Sequence, residues 1–531
     1  NSIESSSRLL VLGMLAGTSW LLGCSGSGDP GNGPGPQEEA VPVVVDSLPS
    51  DASVVEATPD TVELLPEPEP IPQDWPSRTL ASMSLRQKVG QLMMPFVLGD
   101  YAPEGTPSHE RVLTMIEDQE IGGLIVSVGS PGEVALKLND FQRHSRHPLL
   151  VAADLETGAG YRMRGAVYMP GGTELGGATD FPSLMALGAI GDPDLAYEMG
   201  RITAQEARAV GIHVPFAPVL DVNNNPDNPI INVRSLGEDP NQVALLGAAL
   251  TRGIQDHGGI ATGKHFPGHG DTETDSHLDL PVIRVSRARM DSVELVPFRA
   301  AIEAGLGGMM TAHVAVPELN GGSERDPATL SSDVLTDLLR DELDFDGLVF
   351  TDAMDMFAID RRFSRAEAAV RAVEAGADVL LMVPDVEAAI TGLVEAVETG
   401  RIPEARIDDS VMRLLRAKES LGLHEDREVD PRAVGRVVGI PENEAAAREI
   451  AERSITLLKN DRDLLPLLGT RNARVLSVTY GSRTNFLQGR YFNRRLRATY
   501  ARLRTASLHR ESEESEYREI MTRAAGSQLV V

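Results

Sequence analysis

The chemistry in this chain concentrates in one segment, Lys264-His265-Phe266-Pro267-Gly268-His269-Gly270-Asp271-Thr272-Glu273-Thr274-Asp275-Ser276-His277, where three histidines and a lysine fall within fourteen residues. Histidine-rich loops can hold a divalent cation. Here, however, the first apolar run, Leu92–Val97, supplies no His-x-His pair, and Lys264 puts positive charge where the cation would sit. No metal or other cofactor is therefore expected. Sugar binding coupled to proton transfer suits the residues better. Lys264 and His265 can hydrogen-bond ring hydroxyls, and Pro267-Gly268 and Gly270 let the chain turn sharply against a ligand. Asp275 and His277 are two apart, so on an extended chain they share a face. A carboxylate beside an imidazole fixes its tautomer and stabilises the imidazolium, giving a proton donor near neutral pH.

Positioning such groups takes a scaffold, and the sequence spells one out. Short apolar runs recur at Leu92–Val97, Gly123–Val126, Leu149–Ala153, Val214–Asp221, Ala261–His265, Gly308–Val314, Leu348–Asp352 and Val379–Met382. Stretches of helical periodicity, such as Val243–Ile254 and Ala366–Ala375, lie between them. Near-continuous apolar strands suit a parallel sheet covered on both faces. Eight βα units predict an α/β fold, a (β/α)8 TIM-type barrel, in preference to a doubly wound open sheet of five to seven strands. Read to their C-terminal ends, the strands finish at Asp154, Asp221, Lys264-His265, His313 and Asp352. In a barrel these ends converge on one face, where the active site lies.

The remaining chain bounds the function. Its 531 residues include 49 Lys and Arg against 78 Asp and Glu, a net charge of −29. A field of that sign repels nucleic acid and anionic lipid, so no nucleic-acid partner is expected. Aromatic residues make up 4%, too few for a flat sugar-binding aromatic strip, and the single cysteine excludes an intrachain disulfide. The apolar run Leu9–Leu22 has the length of a secretory leader rather than of a membrane span. It ends in Leu21-Leu22-Gly23-Cys24, which resembles a bacterial lipobox, so Cys24 is the expected lipidation site and the lipid anchor the only expected link to a membrane. The domain expectation is a leader with lipobox over 1–24, a disordered Pro/Gly/acidic tether over 25–75, a catalytic barrel over 76–425, a linker over 426–470 and a partial C-terminal α/β domain over 471–531. In that last part Ala473–Val478 reads as a strand, Asn493–Ala506 and Glu511–Ala525 as helices, and Gln528–Val531 as a strand just beginning.

The Lys-His-Phe-Pro-Gly-His-Gly segment followed by Asp-Ser-His is similar to the signature of glycoside hydrolase family 3, in its β-N-acetylglucosaminidase branch. Further blocks resemble the same family: Met83–Leu92, Phe216–Asn223, Asn228–Ile231, Arg234–Pro240, Val349–Met356 and Ser454–Asn460. The resemblance implies a barrel followed by the start of an α/β sandwich. It further implies a retaining, exo-acting β-N-acetylglucosaminidase acting on cell-wall- or chitin-derived saccharides, including muropeptides, as in peptidoglycan turnover. Asp352 would be the nucleophile, His277 the general acid and base, and Asp275 its partner. Asp154, Arg162, Arg234, Lys264 and His265 would hold the terminal sugar, with His313 beside them. Asp221 is expected to organise loop backbone and His213 to be structural. Two departures stand out: Asp154-Leu155-Glu156-Thr157-Gly158 where the family often has Asp-x-Glu-Gly-Gly, and a longer, glycine-rich stretch at Met163–Asp180 that leaves Arg162 and Arg164 as rivals for one role. The alternatives are a family 3 β-glucosidase or β-xylosidase and, in another class, a non-catalytic surface glycan-binding protein.

Overall fold

Each apolar run becomes a strand. In the computed structural model, which describes residues 74–165, 167–169, 173–276, 278–461, 471–483 and 488–531, they are β1 (Met93–Met94), β2 (Phe96–Leu98), β3 (Gly123–Ser127) and β4 (Leu150–Ala153), then, after a hairpin of β5 (Val167–Met169) and β6 (Thr173–Leu175), β7 (Val214–Pro215), β8 (Thr262–Phe266), β9 (Gly308–Thr311), β10 (Leu348–Phe350) and β11 (Leu380–Leu381). The expected leader with Cys24, the tether up to residue 73, and His277 lie outside the described residues. No helix among the described residues is long and apolar enough to cross a membrane.

The fold is mixed α/β with parallel sheets. One sheet runs β2-β3-β4-β7, a second β10-β9-β8, and β1 pairs with β11, all in parallel. Between β7 and β8 the connection is looser: Val219 bridges to Lys264, and the N–H groups of Thr262 and Lys264 donate to Ala217 and Pro218. The expected strand Val214–Asp221 is cut short because Pro215 and Pro218 have no N–H to give a ladder. Phe350 bridges to Val379, and Leu380 N–H donates to Leu92 O.

Alternate residues on these strands enter two different cores, as the period of two demands. Met94, Ile125, Leu150, Ala152, Val214, Met310, Leu348, Phe350 and Leu381 form one cluster. Their neighbours Met93, Leu124, Val126, Val151, Ala153, Met309, Val349 and Leu380 face helices in the larger one. Both faces are buried, which is why the strands read as unbroken apolar runs. The exit helix Glu404–Ser420 is tied to β10 by the buried Asp378, which accepts from Val349 N–H (2.9 Å), Ser410 Oγ (2.6 Å) and Arg340 Nη2 (2.6 Å).

The glycine-rich stretch holds the antiparallel hairpin β5–β6. Its foot is fastened by Glu206, fully buried on the helix Pro193–Ala209. Glu206 accepts from Thr179 N–H (2.8 Å), Thr179 Oγ1 (2.7 Å), Gly439 N–H (2.9 Å) and Asn443 Nδ2 (2.8 Å). Beyond the helix Pro441–Arg453, β12 (Arg474–Tyr480), β13 (Arg502–Leu508) and β14 (Leu529–Val530) make a parallel sheet in the order β13-β12-β14. The sequence predicts one helix over Asn493–Ala506, but the helix is Arg490–Thr499 and β13 follows it. The basic, half-exposed β13 carries too little apolar contrast to be told from an amphipathic helix.

Candidate active site

A cavity of about 540 Å³ opens where the C-terminal ends of the strands meet their loops, and Asp154, Glu156, Arg162, Arg234, Lys264, His265, His269, Ser276 and Asp352 line it. Lys264, in β8, is buried, and its ammonium lies 2.9 Å from Asp154 Oδ1 and 2.8 Å from Glu156 Oε1. Arg234 forks onto Glu156 through Nε (3.0 Å) and Nη2 (2.7 Å), and Arg162 reaches Asp154 Oδ2 at 2.8 Å. Two acids are thus held among three cations. Burial works against charge on Asp154 and Glu156, but Lys264 with Arg162 on the first, and Lys264 with Arg234 on the second, outweigh it, and both carboxyls lie below their ordinary values. Burial likewise opposes charge on Lys264, and the two acids overcome it and keep the ammonium protonated. The clamp presents fixed charge-bearing donors and acceptors, the groups that recognise sugar hydroxyls.

Arg162, not Arg164, lines this cavity; Arg164 turns outward to Asp180 Oδ2 at 2.8 Å. Asp221 organises the loop, as expected. Fully buried, it accepts from the N–H of His265 (3.1 Å) and of His269 (2.6 Å) and stands 2.7 Å from His265 Nδ1. His213 is buried at the start of β7, its Nδ1 accepting from Val151 N–H at 3.0 Å.

The glycines of the motif have concrete work. Gly268 has φ +124°, and a Cβ on Gly270 would stand 1.8 Å from the carbonyl oxygen of Val222, so neither tolerates a side chain. The loop is then pinned by His269, whose Nδ1 lies 2.9 Å from Thr272 Oγ1 and whose Nε2 lies 3.0 Å from Ser276 Oγ. Burial, aided by the neighbouring His265, pushes the His269 pKa down to about 4, so the ring is neutral at neutral pH. Asp275 begins a turn, its carbonyl accepting from the N–H of Leu278 and Asp279, while Ser276 reaches the cavity wall. Both nitrogens of His265 and of His269 face protein groups.

Asp352 lies two residues past the end of β10 and opens on the cavity. Its backbone N–H donates to Thr311 Oγ1 at 3.3 Å, and its Oδ1 accepts from Ala353 N–H at 2.8 Å. Burial would raise its pKa. The His265 and His313 imidazoles, the Ala353 N–H and Lys264 overcome that and leave it below the ordinary carboxylate value. An ionised carboxylate on a cavity wall is what nucleophilic attack on a sugar carbon requires. His313 departs from expectation. It is fully buried and lies behind Asp352 instead of on the cavity wall, its Nδ1 2.7 Å from Thr329 Oγ1 and its Nε2 3.0 Å from Ala353 O. From there its imidazole helps to hold the Asp352 carboxyl below its ordinary value.

Sequence reasoning passed over Glu156 and His269 as site residues. The Asp154-x-Glu156 spacing was a usable signal, since residues two apart on an extended end of β4 face the same way. Nothing local in the sequence marks His269 as the anchor of the following loop.

Residues 84–417 match the model of the glycosyl hydrolase family 3 N-terminal domain. A β-N-acetylglucosaminidase/β-glucosidase of Cellulomonas fimi is 34% identical over 409 residues, 76% of this chain and 69% of that protein. The β-hexosaminidase A of Pseudoalteromonas piscicida is 32% identical over 410 residues, 72% of this chain and 66% of that protein. The chain therefore spans about two thirds of the length of these relatives. Among solved structures, the family 3 β-N-acetylglucosaminidase of Paenibacillus sp. str. FPU-7 superimposes with a TM-score of 0.72 at 37% identity, covering 85% of this chain and 84% of that one. With the match spanning most of the described chain and containing every residue of the cavity clamp, this chain belongs to glycosyl hydrolase family 3 and is a glycoside hydrolase.

Proposed function

We propose that the protein is a retaining, exo-acting β-N-acetylglucosaminidase that releases terminal N-acetylglucosamine from cell-wall- or chitin-derived saccharides. The observation that carries this reading is the ionised Asp352 on the wall of the same cavity as the Asp154–Lys264–Glu156–Arg234 clamp. The clamp and Arg162 hold the hydroxyls of the terminal sugar and so fix its anomeric carbon. Asp352 attacks that carbon and forms a glycosyl ester. His277, oriented by Asp275, protonates the departing oxygen and then takes a proton from the water that hydrolyses the ester. The position of Ser276 on the cavity wall supports bringing this loop to the reaction. So do the names of the Cellulomonas fimi and Paenibacillus relatives.

The parallel sheets are, on this reading, arcs of one (β/α)8 barrel, supported by the hydrogen bonds that lead from β2 through β10 to β11 and by the pairing of β11 with β1. Cys24 would carry a lipid that holds the enzyme at the cell envelope by the tether. The deciding assay compares 4-nitrophenyl N-acetyl-β-glucosaminide with 4-nitrophenyl β-glucoside. Preference for the first is expected; preference for the second by tenfold or more moves the assignment to β-glucosidase, and turnover of neither moves it to a glycan-binding protein.

A further inference from the structure

The basic residues of this chain are unevenly placed. From Arg471 to Arg510 there are ten arginines and no acid, in a chain that carries −29 overall. Elsewhere acids match the arginines: Arg401 holds Glu367 and Glu374, each at 2.7 Å, and Arg287 holds Asp291 at 3.0 Å. Acids resume at Glu511 and gather on the last helix, Glu514–Ala525. The net charge opposes an anionic partner only at a distance, because at physiological ionic strength the field decays within about 8 Å. Close to this stretch the local charge is positive.

The helix Arg490–Thr499, between β12 and β13, carries the densest part of that charge. Its inner side is set by Leu496, which packs against Ala473, Val475 and Tyr500, and by the buried Asn493 one turn earlier. Tyr491, Arg494 and Arg495 are three and four residues apart, so they share the opposite, solvent-facing side. The Arg494 guanidinium lies over the Tyr491 ring, 5.3 Å from its centre. Tyr491 is 51% exposed and Phe492 53%, in a chain with 4% aromatic residues, and Arg490 and Arg497 are exposed beside them. Guanidinium groups hold phosphate through paired N–H donors, and exposed aromatic rings gain by entering the boundary between lipid headgroups and acyl chains. A soluble polyanion would take the arginines and leave both rings in water.

We propose that the face made by Tyr491, Arg494 and Arg495, flanked by Arg490, Phe492 and Arg497, docks on an anionic phospholipid surface. A basic helix with exposed rings lies in the plane of such a surface, with its arginines among the headgroup phosphates. The contact is peripheral, since no helix among the described residues is long and apolar enough to cross a bilayer. The lipid proposed for Cys24 would bring the chain to a membrane through the tether, and this face then fixes which side of the body meets it. None of these residues lines the catalytic cavity, so the docking is independent of the sugar that the cavity takes.

The test measures sedimentation of the full chain, carrying Cys24→Ser so that no lipid is attached, with vesicles of phosphatidylcholine alone and of phosphatidylcholine and phosphatidylglycerol in equal parts. The apolar run Leu9–Leu22 contributes to both alike, so the ratio of the two partition coefficients reads the charge. A preference for the anionic vesicles that shrinks on adding salt is expected. Arg494→Gln with Arg495→Gln should lower that preference about thirtyfold, at about fivefold per arginine near a charged surface, while Arg494→Lys with Arg495→Lys keeps most of it. Tyr491→Ala with Phe492→Ala should lower binding to the anionic vesicles about tenfold, as partial burial of two rings predicts. All variants should keep the far-UV circular dichroism spectrum of the parent. Equal binding to both kinds of vesicle, or a preference that the glutamine pair leaves unchanged, overturns the proposal. So does binding to soluble polyphosphate without preference for the anionic vesicles, which makes the partner a polymer.

Discussion

Replacing Glu156 by Gln probes the clamp at its most committed point. The change keeps shape and removes one charge. Glu156 is 6% exposed at its side chain and takes contacts from Lys264 (2.8 Å) and twice from Arg234 (2.7 and 3.0 Å). Breaking a buried ion pair by neutralising one partner costs roughly 3–5 kcal/mol. The lower end applies, because Lys264 keeps Asp154 at 2.9 Å and the Arg234 side chain is 27% exposed. A loss of about 3 kcal/mol at pH 7 is expected in urea unfolding followed by circular dichroism. Because the Glu156 pKa is depressed in the folded protein, its contribution is fully present above its ordinary value of 4.5 and fades only as pH falls below that. The gap between wild type and variant should therefore hold from pH 7 to 5 and narrow beneath. The same loosening frees Arg234 and Lys264 from their fixed positions, so kcat/KM on the nitrophenyl donor should fall by about a hundredfold, as misplacing substrate-positioning groups by an ångström can. A variant with wild-type stability and wild-type kcat/KM would refute the view that the clamp is held together through Glu156.

Asp352→Asn should abolish turnover, and a 2-deoxy-2-fluoro glycosyl donor should label Asp352 in the wild type; label recovered by mass spectrometry on another carboxylate removes the assignment. His277→Ala should cripple hydrolysis of a disaccharide by ~10²–10⁴, yet give a burst followed by slow turnover with the nitrophenyl donor, with azide restoring the rate; equal losses on both donors without rescue would make His277 a binding residue. The buried, neutral His269 refuses a proton that the unfolded chain accepts, so stability should decline as pH falls from 6.5 towards about 4; His269→Gln should flatten that decline in urea titrations at successive pH values, and an unchanged slope would place the dependence elsewhere.

Most strands were legible because sandwiching between two cores leaves them almost wholly apolar, and Asp154, Asp221, Lys264 and Asp352 were legible because a charge at or just past such a run has few other reasons to be there. Other features hid for physical reasons. Glu156 gains its meaning from Arg234, which lies 78 residues away in sequence. His313 ends its strand just as Asp352 does, and only packing tells a residue on the cavity wall from one behind it. The hairpin β5–β6 is made from a glycine-rich stretch whose pattern also suits an irregular loop. In β13, arginines at 502 and 504 alternate with small and apolar residues too weakly to announce a half-buried strand.

Glu206 joins segments that are far apart in sequence, Thr179 at the foot of the hairpin and Gly439 and Asn443 beyond the exit helix. Detaching either one leaves a buried carboxylate short of donors, so the energetic penalty falls on both, and neither is free to open alone. The two stretches form one cooperative unit in the sense of native-state hydrogen exchange. The amides of Thr179 and Gly439 should exchange at a common rate, and the segment leading toward β12 is thereby coupled to the insertion beside the catalytic cavity. Gly439 also packs against Gly177, where a Cβ would stand 2.3 Å from the carbonyl oxygen, so backbone contact reinforces the tie that Glu206 makes.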